Sequence, residues 1–129
     1  MVDYDTLQFA LRGVQARYEW KPNALVYKGG ADFWPGPSDI DYEGEHVKGD
    51  CKVHTLLCRH ALRKLGIDSR IMICLTGQGG VHCVLEVDGW IMDNLHRDVM
   101  PRDKLPYNWI ERSGVHAGDE WHLIQAAVP

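Results

Sequence analysis

One stretch constrains this chain more than any other: Gly49-Asp50-Cys51 leading through Lys52-Val53-His54-Thr55-Leu56-Leu57-Cys58 to Gly66. It reads as a helix with both ends marked. Asp50 suits the N-cap, because its carboxylate can accept from the unpaired N–H groups of the first turn. Gly66 suits the left-handed position that stops a helix, with Arg63 and Lys64 just before it at the negative end. Thr55, Cys58, Leu62 and Leu65 recur at steps of three and four, which predicts one stripe facing a core. Cys51 then falls in the first helical turn, where free N–H groups and the macrodipole favour an anion. A thiol placed there can ionise and act as a nucleophile. The same cysteine also reads as a small buried core residue, the usual fate of the type. The helix alone does not choose between the two.

The surroundings of the helix are ordered by periodicity and breakers. Residues 5–20 carry a helical pattern with Leu7, Ala10, Leu11, Val14 and Tyr18 on one face, ended by Lys21-Pro22-Asn23. Residues 24–28 are predicted as a short strand, and 31–49 as a long irregular segment of the kind that lines sites or forms lids. That segment, extended to Asp50, holds six acidic residues against Lys48 alone, so most of the net charge of −4 is gathered there. Past the helix, residues 69–76 read as a buried strand, 81–87 as a second, and Trp90 opens a third after Asp88-Gly89, a type I′ hairpin signal. Residues 97–106, with two prolines, form a connection; 107–111 and 120–126 are further strand candidates. At 129 residues, with no repeat or boundary, residues 1–129 are expected to form one domain. The acidic balance argues against a nucleic-acid partner. No apolar run reaches the roughly 20 residues of a membrane span. The N-terminus shows no signal peptide, so the four cysteines are expected to be reduced and the compartment cytoplasmic.

The hairpin register carries chemistry. With Asp88 and Gly89 as the loop, Val87 faces Trp90, and His82, Val84 and Asp93 share one sheet face. His82 and Asp93 are then diagonal neighbours, about 7–8 Å apart at Cα, within reach of an imidazole and a carboxylate. This is how the ring of a general base is oriented. A surface histidine and a strand-end aspartate would give the same sequence.

Taken in order, Trp34 with a following proline, Gly49-Asp50-Cys51, Leu65-Gly66-Ile67, the His82 strand and Met92-Asp93-Asn94-Leu95 resemble the bacterial transglutaminase-like cysteine peptidases. The resemblance runs from about Phe33 to about Trp121. It implies a papain-like α+β fold with the cysteine helix packed on an antiparallel sheet, and a triad of Cys51, His82 and Asp93. It implies a protein or peptide substrate, with the thiolate attacking a peptide or glutamine carboxamide to form a thioester that water or an amine resolves. The Cys51 backbone N–H is then one oxyanion donor, and Trp34 or Gln78 candidates for a second. The trimmed length would suit a phage or mobile-element setting.

The resemblance also raises the question of calcium. Calcium-dependent members use acidic residues flanking the cysteine; Asp50 stands here, but Lys52 replaces its counterpart. A second possible calcium site lies in Asp39, Asp41 and Glu43, followed by Asp50, a spacing close to an EF-hand loop although off-pattern at two ligand positions. Other readings compete. Cys51, His54 and Cys58 fall on one helix face with His82-Cys83 elsewhere, as in a structural zinc module, although no Cys-x2-Cys pair is present. A transglutaminase, deamidase, peptidoglycan amidase or arylamine acetyltransferase would use the same triad, and a non-catalytic binding domain would keep the fold without it.

Overall fold

Apolar stripes at helical and strand periods, separated by glycine and proline breakers, generate the layers of the computed structural model, which describes residues 2–28, 30, 34–77, 80–116 and 118–124. The chain forms helix α1 (Tyr4–Gln15), strand β1 (Tyr18–Trp20), a short helix α2 (Asn23–Val26), strand β2 (Val47–Gly49) and helix α3 (Cys51–Lys64). Strands β3 (Arg70–Leu75), β4 (Val81–Val87), β5 (Trp90–Met92) and β6 (Met100–Pro101) follow, then a 3-10 turn at Arg102–Lys104 and strands β7 (Asn108–Arg112) and β8 (His122–Leu123). The main sheet runs in the order β6-β5-β4-β3-β7-β8 and every pairing in it is antiparallel; β1 and β2 form a separate parallel pair. The architecture is α+β, with the cysteine helix on the sheet as expected.

Helix α3 lies at the centre because its stripe is buried almost without interruption from Val53 to Cys58, and again at Leu62. Leu57 and Leu62 are fully buried with Leu7, Leu11 and Val14 of α1 and Ile71, Leu85 and Val87 of the sheet. Each such side chain contributes about 1.5–3 kcal/mol of burial, so the helix is fixed rigidly over the strands. Leu65 is the exception to the predicted stripe. It is 54% exposed, because the helix has already closed: Gly66 takes φ +74, its N–H donates to Arg63 O, and Ile67 N–H reaches back to Leu62 O. The opposite sheet face carries a smaller cluster of Met72, Val84, Ile91 and Leu105, with Tyr107 and Trp109 against it.

The hairpin follows the predicted register. Val87 pairs with Trp90, Glu86 with Ile91 and Leu85 with Met92, while Asp88 (φ 50) and Gly89 (φ 85) take the left-handed conformations of a type I′ turn. Local pattern misled elsewhere. Residues 23–26 are helical rather than extended, because Asn23 is buried and its side chain anchors the segment to the Asp50 N–H at 2.8 Å. Tyr18 leaves the α1 face and enters β1, drawn by pairing with Val47 and by its hydroxyl's contacts with Gly49 O and Asp50 O. The connection at 97–106 contains β6 and the 3-10 turn, tied to the hairpin by Arg102 N–H to Gly89 O. Of the last candidate strand, His122–Leu123 is extended, and 125–126 lie outside the described residues.

Candidate active site

The start of α3 is held from three sides. Asp50 caps it, its Oδ1 accepting from Lys52 N–H at 2.9 Å, while Asn23 Oδ1 accepts from the Asp50 N–H. The Tyr18 hydroxyl lies 2.8 Å from Gly49 O and 3.1 Å from Asp50 O, and Lys21 N–H also donates to Gly49 O. Gly49 itself is required by space. A Cβ there would overlap Val53 Cγ2 and lie 2.6 Å from Val53 Cβ, and Val53 is fully buried. Gly49→Ala is therefore expected to cost about 1–3 kcal/mol in a urea titration, since overpacking of a filled core has that scale, and to slow alkylation of Cys51 by shifting the helix start.

His82 and Asp93 meet as the register predicts. The His82 Nε2–Asp93 Oδ1 distance is 2.7 Å, and Asp93, just past the end of β5, is 1% exposed. The carboxylate is further held by Leu95 N–H at 3.0 Å and by the Tyr107 hydroxyl, which donates to Oδ2 at 2.7 Å. With Nε2 engaged, Nδ1 is the ring nitrogen left free, and His82 and Cys51 line the same cleft.

Cys83 is closer to this chemistry than strand alternation suggests. It does point to the opposite face from His82, into the α3 core, yet its Sγ lies 3.6 Å from Cys51 Sγ. The pairing of β4 with β5 begins only at Leu85, so β4 is open on that side at residues 82–84. Cys51, His82 and Cys83 all line one cleft beside this stretch of β4. Sequence reasoning missed both Cys83 and Tyr107, because nothing local marks either contact.

Electrostatics divides the four cysteines. Hydrogen bonding from Cys83 and from His82, against the cost of burial, lowers Cys51 to about 5. Burial opposes charging of His82, but hydrogen bonds to Asp93 and Cys51 outweigh it and raise the ring to about 9. The Cys83 thiol is pushed up by its contact with the Cys51 thiolate and by burial, and burial raises Cys58 and, to about 12, Cys74. Cys51 and His82 are thus held as a thiolate–imidazolium pair. The stability consequence has a definite sign. Unfolded, the groups titrate near roughly 6.5 and 8.5, so between these pH values either state holds one proton on the pair and its contribution is flat. Below that window the unfolded chain takes a second proton and the stabilisation falls toward pH 5; above it the unfolded chain loses its last and the stabilisation falls toward pH 9. Urea titrations of the wild type, referenced to a Cys51→Ala/His82→Ala chain, should show this plateau with two declining limbs.

A cleft of about 180 Å³ opens on the pair, lined by Trp34, Cys51, Lys52, Ile73, Val81, His82 and Cys83. Trp34 thus stands beside Cys51, 42% exposed, with the Lys52 ammonium 6.0 Å from its ring. Gln78, the other expected oxyanion donor, lies outside the described residues.

The acidic side chains of the candidate calcium site are engaged separately, and the candidate zinc ligands diverge. Among the described residues no three His, Cys, Asp or Glu side chains are grouped to hold an ion. Asp39 accepts from Gly36 N–H, Asp41 from Glu43 N–H, Glu43 pairs with His60 and Lys64 at 2.9 Å, and Asp50 is neutralised by Lys52 Nζ at 2.8 Å. The acidic segment departs from a calcium loop because Ile40 turns into the core and Tyr42 stacks on His60. The zinc arrangement is also pulled apart: His54 faces Cys58 and Tyr18 in the core, whereas Cys51 faces Cys83. Burial lowers His54 to about 4, so it stays neutral.

A family model for bacterial transglutaminase-like cysteine proteinases matches residues 23–128. The chain belongs to this family. That membership makes it a transglutaminase-like cysteine peptidase acting on protein or peptide. A search of curated proteins finds no match. Among solved structures, LapG of Legionella pneumophila superimposes with a TM-score of 0.68 at 19% identity, over 93% of this chain and 68% of that one. A calcium-bound LapG structure gives 0.68 at 18% identity, over 93% and 68%, and an EGTA-treated one 0.70 at 17%, over 94% and 67%. At these identities the likeness shows a shared papain-like, transglutaminase-like fold.

Proposed function

We propose that Cys51, His82 and Asp93 form the catalytic triad of this peptidase, with Cys51 as nucleophile, His82 as general acid and base, and Asp93 as the group that orients the ring. What supports the reading is the His82 ring, 2.7 Å from a buried Asp93 and lining the same cleft as Cys51. The thiolate adds to the scissile carbonyl, and His82 donates its proton to the departing amine. The thioester is then opened by water that His82 deprotonates. Cys51 is the first residue of α3, so its N–H has no acceptor within the helix and is available to the developing oxyanion. Trp34, on the wall of the cleft, is the proposed second donor through its indole N–H. An amine replacing water would make the same site a transglutaminase; hydrolysis is the reading proposed here.

Iodoacetamide at about pH 6, below the free-thiol value of roughly 8.5, should label Cys51 alone, and peptide mapping should show it. Incubation with a denatured-proteome peptide library should then produce new termini that Cys51→Ala does not. Labelling of Cys58, Cys74 or Cys83 at a similar rate would remove the nucleophile assignment.

The proposal extends to calcium. Lys52 supplies next to the N-cap carboxylate the positive charge that a bound ion would bring, through an ion pair whose side chains are only 14% and 16% exposed. EGTA is expected to leave the melting temperature and cleavage rate unchanged. A fall of several degrees, reversed by calcium, would show that an ion is needed after all. Four free thiols also fit the reducing environment of a cytoplasm, and the acidic chain a protein rather than a nucleic-acid partner. No helix among the described residues is long and apolar enough to cross a membrane.

A further inference from the structure

The sheet continues the catalytic cleft in one direction. Register places Cys83, Ile73, Glu111 and Leu123 in a row across β4, β3, β7 and β8, on the face that carries Cys51. Adjacent strands are about 4.8 Å apart, so Glu111 stands roughly 10 Å along the row from Cys83, whose sulfur touches Cys51. A second cleft of about 440 Å³ lies over it, lined by Trp34, Ile73, Glu111 and Trp121, and shares Trp34 and Ile73 with the first. Both tryptophans are well exposed, at 42% and 38%. Glu111 is part-buried and has no hydrogen bond or ion pair among the described residues, unlike Glu43 and Glu86, which are both paired.

We infer that Glu111, walled by Trp34 and Trp121, is a substrate subsite that takes the cationic side chain of a lysine or arginine near the scissile bond. A carboxylate without a partner, beside two indole faces, offers charge pairing and cation–π attraction together, which a neutral side chain cannot use. The spacing fits. A residue adds about 3.3–3.6 Å to an extended chain, so one or two residues plus a long side chain bridge the distance from the attacked carbonyl. The inference rests on Cys51 being the nucleophile, but its test does not rest on hydrolysis. Cys51 is alkylated with N-iodoacetyl-glycyl-lysine amide and with the norleucine analogue, which keeps the aliphatic stem without the ammonium. The lysine reagent should react at least about tenfold faster at saturating preference, equivalent to one decade in affinity. Glu111→Gln, at a part-exposed position, should bring the two rates together. Equal rates in the wild type, or a lysine preference that survives Glu111→Gln, would overturn the subsite. A lysine preference in a protein that cleaves no library peptide would instead count against the peptidase assignment and leave the subsite standing.

A separate observation carries a second inference. The thiol-to-thiol distance of 3.6 Å places a second cysteine in contact with the nucleophile, and Cys83 has no role in the mechanism above beyond donating to it. The structure assigns Cys83 as a resolving thiol that captures oxidised Cys51 as a reversible disulfide. The Cys51 thiolate attacks hydrogen peroxide, the O–O bond breaks, hydroxide leaves, and the sulfur becomes a sulfenic acid. Cys83 then attacks that sulfur, its proton leaves with the hydroxyl group as water, and the S–S bond forms. The sulfurs need close by only about 1.5 Å to reach bonding distance. Without Cys83, the sulfenic acid would proceed to sulfinic acid, which thiols do not reverse. Wild type treated with an equivalent of peroxide should yield a Cys51–Cys83 linked peptide, and dithiothreitol should restore full iodoacetamide labelling of Cys51. Cys83→Ser should lose that recovery. A wild-type product with Cys51 as sulfinic acid and no linked peptide, or equal recovery in Cys83→Ser, would overturn the assignment.

Discussion

His82→Ala is expected to lower kcat/KM by about 10³–10⁵-fold, the largest effect of any single substitution short of removing Cys51. Two losses combine. Without the imidazolium, the Cys51 thiol, still hydrogen-bonded by Cys83, moves up from about 5 toward its free value, so its thiolate fraction at neutral pH falls by at most roughly 30-fold. Loss of proton donation to the leaving amine adds about 10²–10⁴. The two are separable, because alkylation senses only the first. Iodoacetamide labelling at pH 7 should slow by up to that factor while peptide cleavage falls below detection. Far-ultraviolet circular dichroism and the melting transition check that the variant is folded. A chain that is folded, labels slowly and still cleaves at more than a tenth of the wild-type rate would exclude His82 as the acid and base.

The parts of this site that were legible in the sequence are those set by local geometry. The N-cap at Asp50, the closing Gly66 and the type I′ turn at Asp88-Gly89 each follow from what one residue type can do with its backbone. Because side chains alternate strictly along a strand, the turn fixed the pairing, and the pairing brought His82 to Asp93 across 11 residues of sequence. What was not legible depends on how separate elements dock. Strand alternation puts Cys83 on the face away from His82, but Cys51 arrives from the start of a helix that packs on that face, so its sulfur meets Cys83 at 3.6 Å. Asn23 reads only as part of the break after the first helix, because nothing local announces that its amide will anchor the Asp50 N–H. Tyr107 lies 14 residues beyond Asp93 and reaches it only because β7 joins the far side of β3. The acidic segment misled in the other direction. Its spacing resembles a calcium loop, but Glu43 is drawn to His60 and Lys64 of α3, and Asp50 is committed to the helix and to Lys52.

Asp93→Ala should differ from His82→Ala by damaging the fold as well as the chemistry. Asp93 is, among the described residues, the carboxylate in contact with His82, and against the effect of burial its own titration is held below the usual range by that ring, by Leu95 N–H and by Tyr107. Its removal takes away the acceptor of the buried His82 Nε2 and leaves the Tyr107 hydroxyl with His96 Nε2, 3.2 Å away, as its remaining partner among the described residues. Breaking a buried pair from one side costs about 3–5 kcal/mol, and loss of ring orientation reduces turnover by up to about 10⁴-fold. Asp93→Asn should be much milder in both respects. The amide oxygen can still accept from His82 Nε2, and the Tyr107 hydroxyl can turn to accept from the amide nitrogen, so no buried group is orphaned. The pH dependence distinguishes the two residues of the pair. A carboxylate whose folded value is depressed contributes stability that is present above its unfolded value, near roughly 3.9, and is lost as pH falls through the folded one. The wild-type advantage over Asp93→Asn should therefore persist from neutral pH down to about 4 and shrink only below it. A urea series showing Asp93→Ala as stable as wild type at pH 7, or Asp93→Asn as damaged as Asp93→Ala, would mean that Asp93 neither orients His82 nor anchors the end of β5.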